Sequence, residues 1–273
     1  MPEIAEVESV ARVLGSKYIG KKLIKIETYP EIHQKGLPRL IKSDNFNTIE
    51  NNKIVCFSRL GKHIIAKFDN NLNLVIHLMM SGVLAIENTL KNDKHLYVKL
   101  FFENSPYLAF LDPRRFGKMI IYNDLDLNKL VKGIDAINGN LTPEILLELF
   151  KNNSEIKVFL LEKQDKIVGI GNIYACEILW HAKINPTKIC NKITFDEAAK
   201  LCESIKFILN RAVENGGSTL GDKGYFLPDG TFGGAQNFHQ VYAKQICSCG
   251  GNINKIIQKT RATFYCPKCQ NNH

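Results

Sequence analysis

Two ends of this chain carry residue types at spacings that could do chemistry. At the start, "MPEIAEVES" sets Pro2 directly behind the initiator methionine, with carboxylates at Glu3, Glu6 and Glu8. Met before Pro is a normal substrate for methionine removal, which would leave Pro2 with a free secondary amine. An N-terminal amine has a reference pKa of about 8, against about 10.4 for lysine, so more of it is neutral at pH 7. The stretch also reads as an ordinary helix start, because Pro favours the first helical position and acids favour the first turn. At the other end, "CSCGGNINKIIQKTRATFYCPKC" holds a Cys-x-Cys pair, a sixteen-residue spacer and a Cys-x2-Cys pair. Thiolates from Cys247, Cys249, Cys266 and Cys269 suit one tetrahedral, structural zinc ion per chain, held by two knuckles joined through a hairpin. The alternative is free or redox-active thiols. The segment 241–273 carries Lys244, Lys255, Lys259, Arg261 and Lys268 and no acid, which gives the hairpin a basic face for phosphates.

The elements that must position these groups fall into two styles. "PEIAEVESVARVL" spaces Ile4, Val7, Val10, Ala11 and Leu14 for one apolar helix face. From about residue 22 to 122, runs such as "KLIKIETY", "KIVCFSRL", "HIIAKF", "LNLVIHLMM", "HLYVKLFF" and "MIIY" alternate with turn signals. That pattern predicts a helix followed by an antiparallel β-sandwich. Beyond a polar stretch the period turns helical. Thr142 is placed as an N-cap with Pro143 behind it, and Thr194 and Glu197 form a capping box on a helix that stops at Gly216-Gly217. A Gly-rich loop of about 24 residues, 216–239, follows, of a length that is usually functional. The expected division is 1–125, a β-sandwich domain; 126–142, a linker; 143–240, a helical domain carrying the 216–239 loop; and 241–273, the zinc finger.

The chain has 273 residues, enough for two domains, and 36 Lys+Arg against 27 Asp+Glu give a net charge of +9. That excess favours a polyanionic partner. No apolar run approaches the ~20 residues of a membrane span, and the acidic start is not a secretory signal. A cytoplasmic protein that binds no membrane is the expectation, with Cys56, Cys176, Cys190 and Cys202 as inert or core thiols.

"PEIAEVE", "HLMMSG", "DPRRFGK" and "GIGNIYACEIL", followed by "RATFYCPKCQ", occur in this order along essentially the whole chain. Together they resemble the formamidopyrimidine-DNA glycosylase family. The resemblance implies an α+β protein of two domains: an N-terminal helix plus antiparallel β-sandwich, then a helical helix–two-turn–helix domain with a β-hairpin zinc finger. It further implies a base-excision repair enzyme, a DNA glycosylase and AP lyase. Such an enzyme removes oxidised purines from damaged double-stranded DNA, as a monomer associated with the bacterial nucleoid. Pro2 occupies the family's nucleophile position. A secondary amine attacking a sugar C1′ gives a permanently cationic iminium, an electron sink that makes the C2′ proton removable. Glu3 is then the adjacent acid, and Lys62, at the tip of "RLGKHII", the contact to phosphate and sugar. Glu6, one helical turn on, holds the terminus in place or simply serves the helix start, while Glu8 reads as a surface acid. Met80 and Phe116 are an apolar plug for the gap left by an extruded nucleotide, and Arg114 is the cation facing the widowed base. Arg115 and Lys118 are expected phosphate contacts. Asn172, with Lys157 and Arg261, would grip phosphates beside the lesion, and Gly169 and Gly171 open the helix there.

Several positions depart from the family pattern. Ala5 stands where Pro is usual, and Met79 stands before Met80 where Gly is usual. "GIDAINGNL" replaces the usual linker, and the first finger knuckle is one residue short. The 216–239 loop, implied to cap the extruded base, keeps "GGSTL" but is about two residues longer, with Gly221 in place of a basic residue. The alternatives are the endonuclease VIII-like branch, which acts on oxidised pyrimidines, and a non-catalytic zinc-finger DNA-binding protein.

Overall fold

The computed structural model describes residues 2–29, 43–90, 95–127, 129–221 and 224–271; Met1, on whose removal the amine depends, and residues 222–223 of the long loop lie outside them. The chain folds as two compact units. One comprises Met1–Leu130 with Val213–Gly234, the other Val131–Ala212 with Ala235–His273.

In the first unit, helix α1 (Ile4–Tyr18) precedes eight strands: β1 (Leu23–Thr28), β2 (Ile54–Leu60), β3 (His63–Phe68), β4 (Leu72–His77), β5 (Val83–Ile86), β6 (Leu96–Phe102), β7 (Ser105–Leu111) and β8 (Lys118–Asn123). A one-turn helix, α2 (Asp124–Leu127), follows. The strands make two antiparallel sheets, ordered β1-β6-β7-β5 and β2-β3-β4-β8. Both sheets turn apolar faces into one core, where Val7, Val10 and Leu14 of α1 meet Ile64, Leu74 and Ile76 of one sheet and Val98, Leu108 and Phe110 of the other. The five apolar positions of α1 that sequence spacing assigns to one face are all at most 4% exposed. Burial of each large apolar side chain contributes about 1.5–3 kcal/mol, which fixes the pitch of α1 and hence the direction of its first turn. Tyr225 and Leu227 of the long loop belong to the same core, and the backbone N–H of Ile86 donates to Pro228 O at 2.8 Å. The loop is therefore held along much of its length by this unit.

The second unit contains β9 (Ile134–Asp135), paired in parallel with β10 (Ile167–Val168), and the helices α3 (Pro143–Leu149), α4 (Ile156–Glu162), α5 (Asn172–His181) and most of α6 (Phe195–Glu214). Thr142 caps α3, its hydroxyl accepting from the Ile145 N–H at 3.4 Å, with Pro143 as the first helical residue. The Thr194–Glu197 capping box is present in both directions, at 2.9 and 3.3 Å. A hairpin of β11 (Asn254–Gln258) and β12 (Arg261–Tyr265) carries the C-terminal cysteines. It reverses through Lys259 (φ +45°) and Thr260 (φ +64°), the pair of left-handed residues that a two-residue hairpin turn needs.

Candidate functional site

Glu3 is the N-cap of α1, with extended backbone, so Pro2 stands one residue ahead of the cap rather than at the first helical position. The preference of helices for Pro at their first position therefore does not explain it. Glu3 and Glu6 are 4% and 2% exposed. The Glu6 carboxylate accepts the Glu3 N–H at 2.9 Å with one oxygen and the Ser218 N–H at 2.7 Å with the other. The Tyr225 hydroxyl lies between the carbonyls of Gly216 (3.0 Å) and Glu6 (3.3 Å). Gly217 has φ +78°, and a Cβ there would fall 2.8 Å from Glu6 Oε1. Glu6 thus fastens the start of the 216–239 loop to the turn that presents Pro2 and Glu3.

Glu8 corrects the surface reading. Its side chain is 16% exposed and pairs with Arg12 at 2.9 Å and with the fully buried Arg59 at 3.0 Å. Arg59 also donates to Gly61 O at 2.8 Å. That bond pins the β2–β3 turn, whose tip carries the half-buried Lys62. Next to this turn, the His63 and His77 rings meet edge to face at 4.5 Å. His77 Nδ1 accepts the Met79 N–H at 2.9 Å, so that nitrogen is unprotonated. Burial first, then the neighbouring His63, Lys118 and Lys62, push the His77 pKa down to about 3.

Met80, Arg114 and Phe116 are assembled around a buried carboxylate. Asp112, 0% exposed, accepts from Ser81 Oγ (2.5 Å), Arg114 N (3.1 Å) and Gly117 N (2.6 Å). The turn so formed sets Arg114 Nη1 at 3.3 Å from Met80 Sδ and stacks its guanidinium over Phe116 at 5.0 Å. Met80 is 42% exposed, and Met79 reaches this turn through a left-handed backbone (φ +53°). Arg115 goes the other way: φ is +57°, it is 5% exposed, and its guanidinium lies over the Tyr97 ring at 4.6 Å. Met80, Arg114 and Phe116 are brought together, whereas Arg115 is turned inward.

In the second unit Asn172 begins α5 behind Gly171. Lys157, 0% exposed, donates to Asn172 Oδ1 (2.7 Å), Thr263 Oγ1 (2.7 Å) and Ala262 O (3.3 Å), and Asn172 Nδ2 donates to Ala262 O at 3.0 Å. The ammonium is thereby spent on joining α5 to strand β12, at whose exposed start stands Arg261. Glu177 accepts from the N–H groups of Gln240, Val241 and Tyr242 at 2.8, 3.0 and 2.7 Å. Its pKa is raised by burial despite those three donors.

The sulfurs of Cys247, Cys249, Cys266 and Cys269 all lie within 4.8 Å of one another, and none is in a disulfide. A zinc–sulfur bond of about 2.3 Å puts the corners of a tetrahedron about 3.8 Å apart. The 247–269 and 249–266 separations of 3.9 and 3.6 Å fit that figure. The short first knuckle closes through Gly250 (φ +76°) and Gly251, where a Cβ would come within 3.3 Å of two of the sulfurs. These cysteines fit one structural zinc, whose charge would draw the thiolates together and help fold the finger.

The positioning residues Asp112, His77 and Glu177 stand inside the motif stretches but are not marked by them. Asp before Pro at the head of a turn is a signal for Asp112, since a short carboxylate there can accept the N–H groups that follow. Glu177 bonds N–H groups more than sixty residues further along the chain, and His77 meets the ring of His63 on another strand; no local pattern reports either contact.

Residues 1–119 match the formamidopyrimidine-DNA glycosylase N-terminal domain, and residues 133–223 match the formamidopyrimidine-DNA glycosylase H2TH domain. A formamidopyrimidine-DNA glycosylase of Zymomonas mobilis is 36% identical over 280 residues, covering 99% of this chain and all of that one. Among solved structures, the MutM (Fpg) protein of Thermus thermophilus superposes with a TM-score of 0.86 at 29% identity, over 100% of both chains. The Lactococcus lactis Fpg bound to DNA with an abasic site gives a TM-score of 0.84 at 32% identity, over 99% of this chain and all of that one. A variant of the latter has been solved with Fapy-dG containing DNA. This chain belongs to the formamidopyrimidine-DNA glycosylase family.

Proposed function

We propose that the chain, once freed of Met1, is a base-excision repair glycosylase and AP lyase acting on oxidised purines, 8-oxoguanine and formamidopyrimidines, in duplex DNA. The observation that carries this reading is the placement of Pro2 ahead of the helix cap, beside the buried Glu3. The Pro2 nitrogen attacks C1′ of the damaged nucleotide, and the base departs with the C1′–N bond electrons and takes up a proton. Loss of the amine proton and opening of the sugar, assisted by Glu3, give the cationic iminium. Removal of a C2′ proton expels the 3′ phosphate, and a second elimination expels the 5′ phosphate, leaving a one-nucleoside gap.

The other residues serve geometry. Met80 and Phe116 fill the vacated stack, and Arg114 faces the widowed base. Lys62 holds the phosphate and sugar beside the lesion. Asn172 and Arg261 grip flanking phosphates, with Lys157 keeping them in register, and Arg115 steadies the turn from within. Zinc supplies rigidity to the finger and no step of the chemistry. Among the described residues no helix is long and apolar enough to cross a membrane, and we place the protein in the cytoplasm, on the nucleoid, as a monomer.

Strand incision on matched duplexes tests the substrate reading. Faster cutting at 8-oxoguanine than at thymine glycol supports it. Cutting at thymine glycol with 8-oxoguanine left intact would move the chain to the endonuclease VIII-like branch.

A further inference from the structure

Trp180 is the only tryptophan in the chain, and it stands in the last turn of α5. Its indole Nε1 donates to Cys247 Sγ at 3.2 Å. Cys247 is 3% exposed, and the indole packs on the apolar cluster of Cys176, Val241, Cys247 and Cys266. The Lys183 ammonium lies over the ring at 4.2 Å, fixing its plane. A zinc ion held by four thiolates has a formal charge of −2, so an N–H aimed at one sulfur offsets charge that the metal leaves. Cys-x-Cys has one peptide unit fewer than Cys-x2-Cys from which to turn an N–H toward its sulfurs, and a side-chain donor from outside the finger answers that shortage.

The donor also ties the finger to its support. Helix α5 packs Cys176 against Val241, Cys247 and Cys266, and hydrogen bonds to the C-terminal segment run from Asn172 Nδ2 to Ala262 O (3.0 Å), from the N–H groups of 240–242 to the Glu177 carboxylate, and from Trp180 to Cys247. Of these hydrogen bonds, the last goes to a proposed zinc ligand.

We propose that Trp180 is a positioning residue of the zinc centre: its indole N–H bonds the Cys247 thiolate, strengthens zinc retention at the short knuckle, and couples metal occupancy to the seating of the finger on α5. The same Cys247 sulfur would bind the metal and accept the indole N–H, so metal and helix hold the finger cooperatively. The inference rests on the four-cysteine zinc site and is independent of the reaction at Pro2.

The test uses the full zinc-loaded chain. The parent should contain one zinc per chain, and Trp180→Phe, which keeps an aromatic ring but has no donor, should surrender zinc to a chromogenic chelator with roughly 10–100-fold weaker affinity. Its far-UV circular dichroism should be unchanged. In the parent, the single indole N–H resonance should exchange slowly with solvent when zinc is bound and rapidly after the metal is withdrawn. Equal zinc affinity in a folded Trp180→Phe, or indole exchange that ignores the metal, would overturn the proposal. If Trp180→Phe fails to fold, the exchange measurement on the parent decides alone. A parent that binds no zinc would overturn the metal site itself and this inference with it.

Discussion

A nitrogen is a nucleophile only while its lone pair is free, and Pro2 has one only as the first residue of the chain. The helix start that follows it holds two buried carboxylates, Glu3 and Glu6, with separate duties. Glu3 caps α1, its side chain reaching the backbone of Glu6, and Glu6 spends both oxygens on backbone N–H groups, those of Glu3 and Ser218. That division argues a specific outcome. Glu6→Gln keeps the shape but turns an NH2 toward one of the two N–H donors, leaving it buried and unpaired. We expect a loss of about 1–3 kcal/mol in urea unfolding, together with slower base excision. A variant as stable and as active as the parent would show that Glu6 positions nothing.

At the scale of elements, the "DPRRFGK" turn is the clearest case of local sequence dictating local geometry. Asp112 collects three donors, and Gly117 permits the close return: a Cβ there would sit 2.3 Å from Phe110 Cζ, in the sealed core. Gly117→Ala should therefore cost about 1–3 kcal/mol in thermal or denaturant unfolding. It should weaken lesion-DNA binding in a gel-shift assay, because the proposed plug, Met80 and Phe116, moves with the turn. Undiminished stability and binding would contradict the packing argument. Legibility in the sequence follows the same division between local and distant. The α1 stripe, the Thr142 and Thr194 caps and the cysteine knuckles are written in short-range spacing, and the structure has them. Strands β5 and β7 do not stand out in the pattern, since "VLAI" is only four residues long and "SPYLAFL" lacks alternation. Glu8 reads as a surface acid because its partner Arg59 lies 51 residues away. The anchoring of Glu6 to Ser218 spans 212 residues, and no periodicity could report it.

For the whole molecule, the +9 charge sets the terms of association with a polyanion. Binding should weaken linearly in log–log plots against salt, and Arg261→Ala, which removes one proposed phosphate contact at the start of β12, should reduce the slope by about 1. An unchanged slope would take Arg261 out of the phosphate grip. Stability should also depend on acidity. Burial, then Lys244, pushes the His239 pKa down to about 4, and His77 is pushed down to about 3. In the unfolded chain both imidazoles return to about 6.5 and bind protons that the folded chain refuses. Stability should therefore be intact above about pH 6.5 and fall as the pH drops toward 4. His77→Asn, which has no such proton to bind, should flatten that fall in pH-dependent urea titrations; an equally steep fall would remove His77 as a cause.

The central claim is that the first residue of the mature chain is the reagent. Borohydride added during reaction with 8-oxoguanine duplex should trap a covalent protein–DNA adduct, and peptide mapping should place it on Pro2 of chains that have lost Met1. Chains carrying an extra residue ahead of Pro2 should give no such adduct. An adduct mapped to a lysine, or no adduct with fully processed protein, would contradict the account.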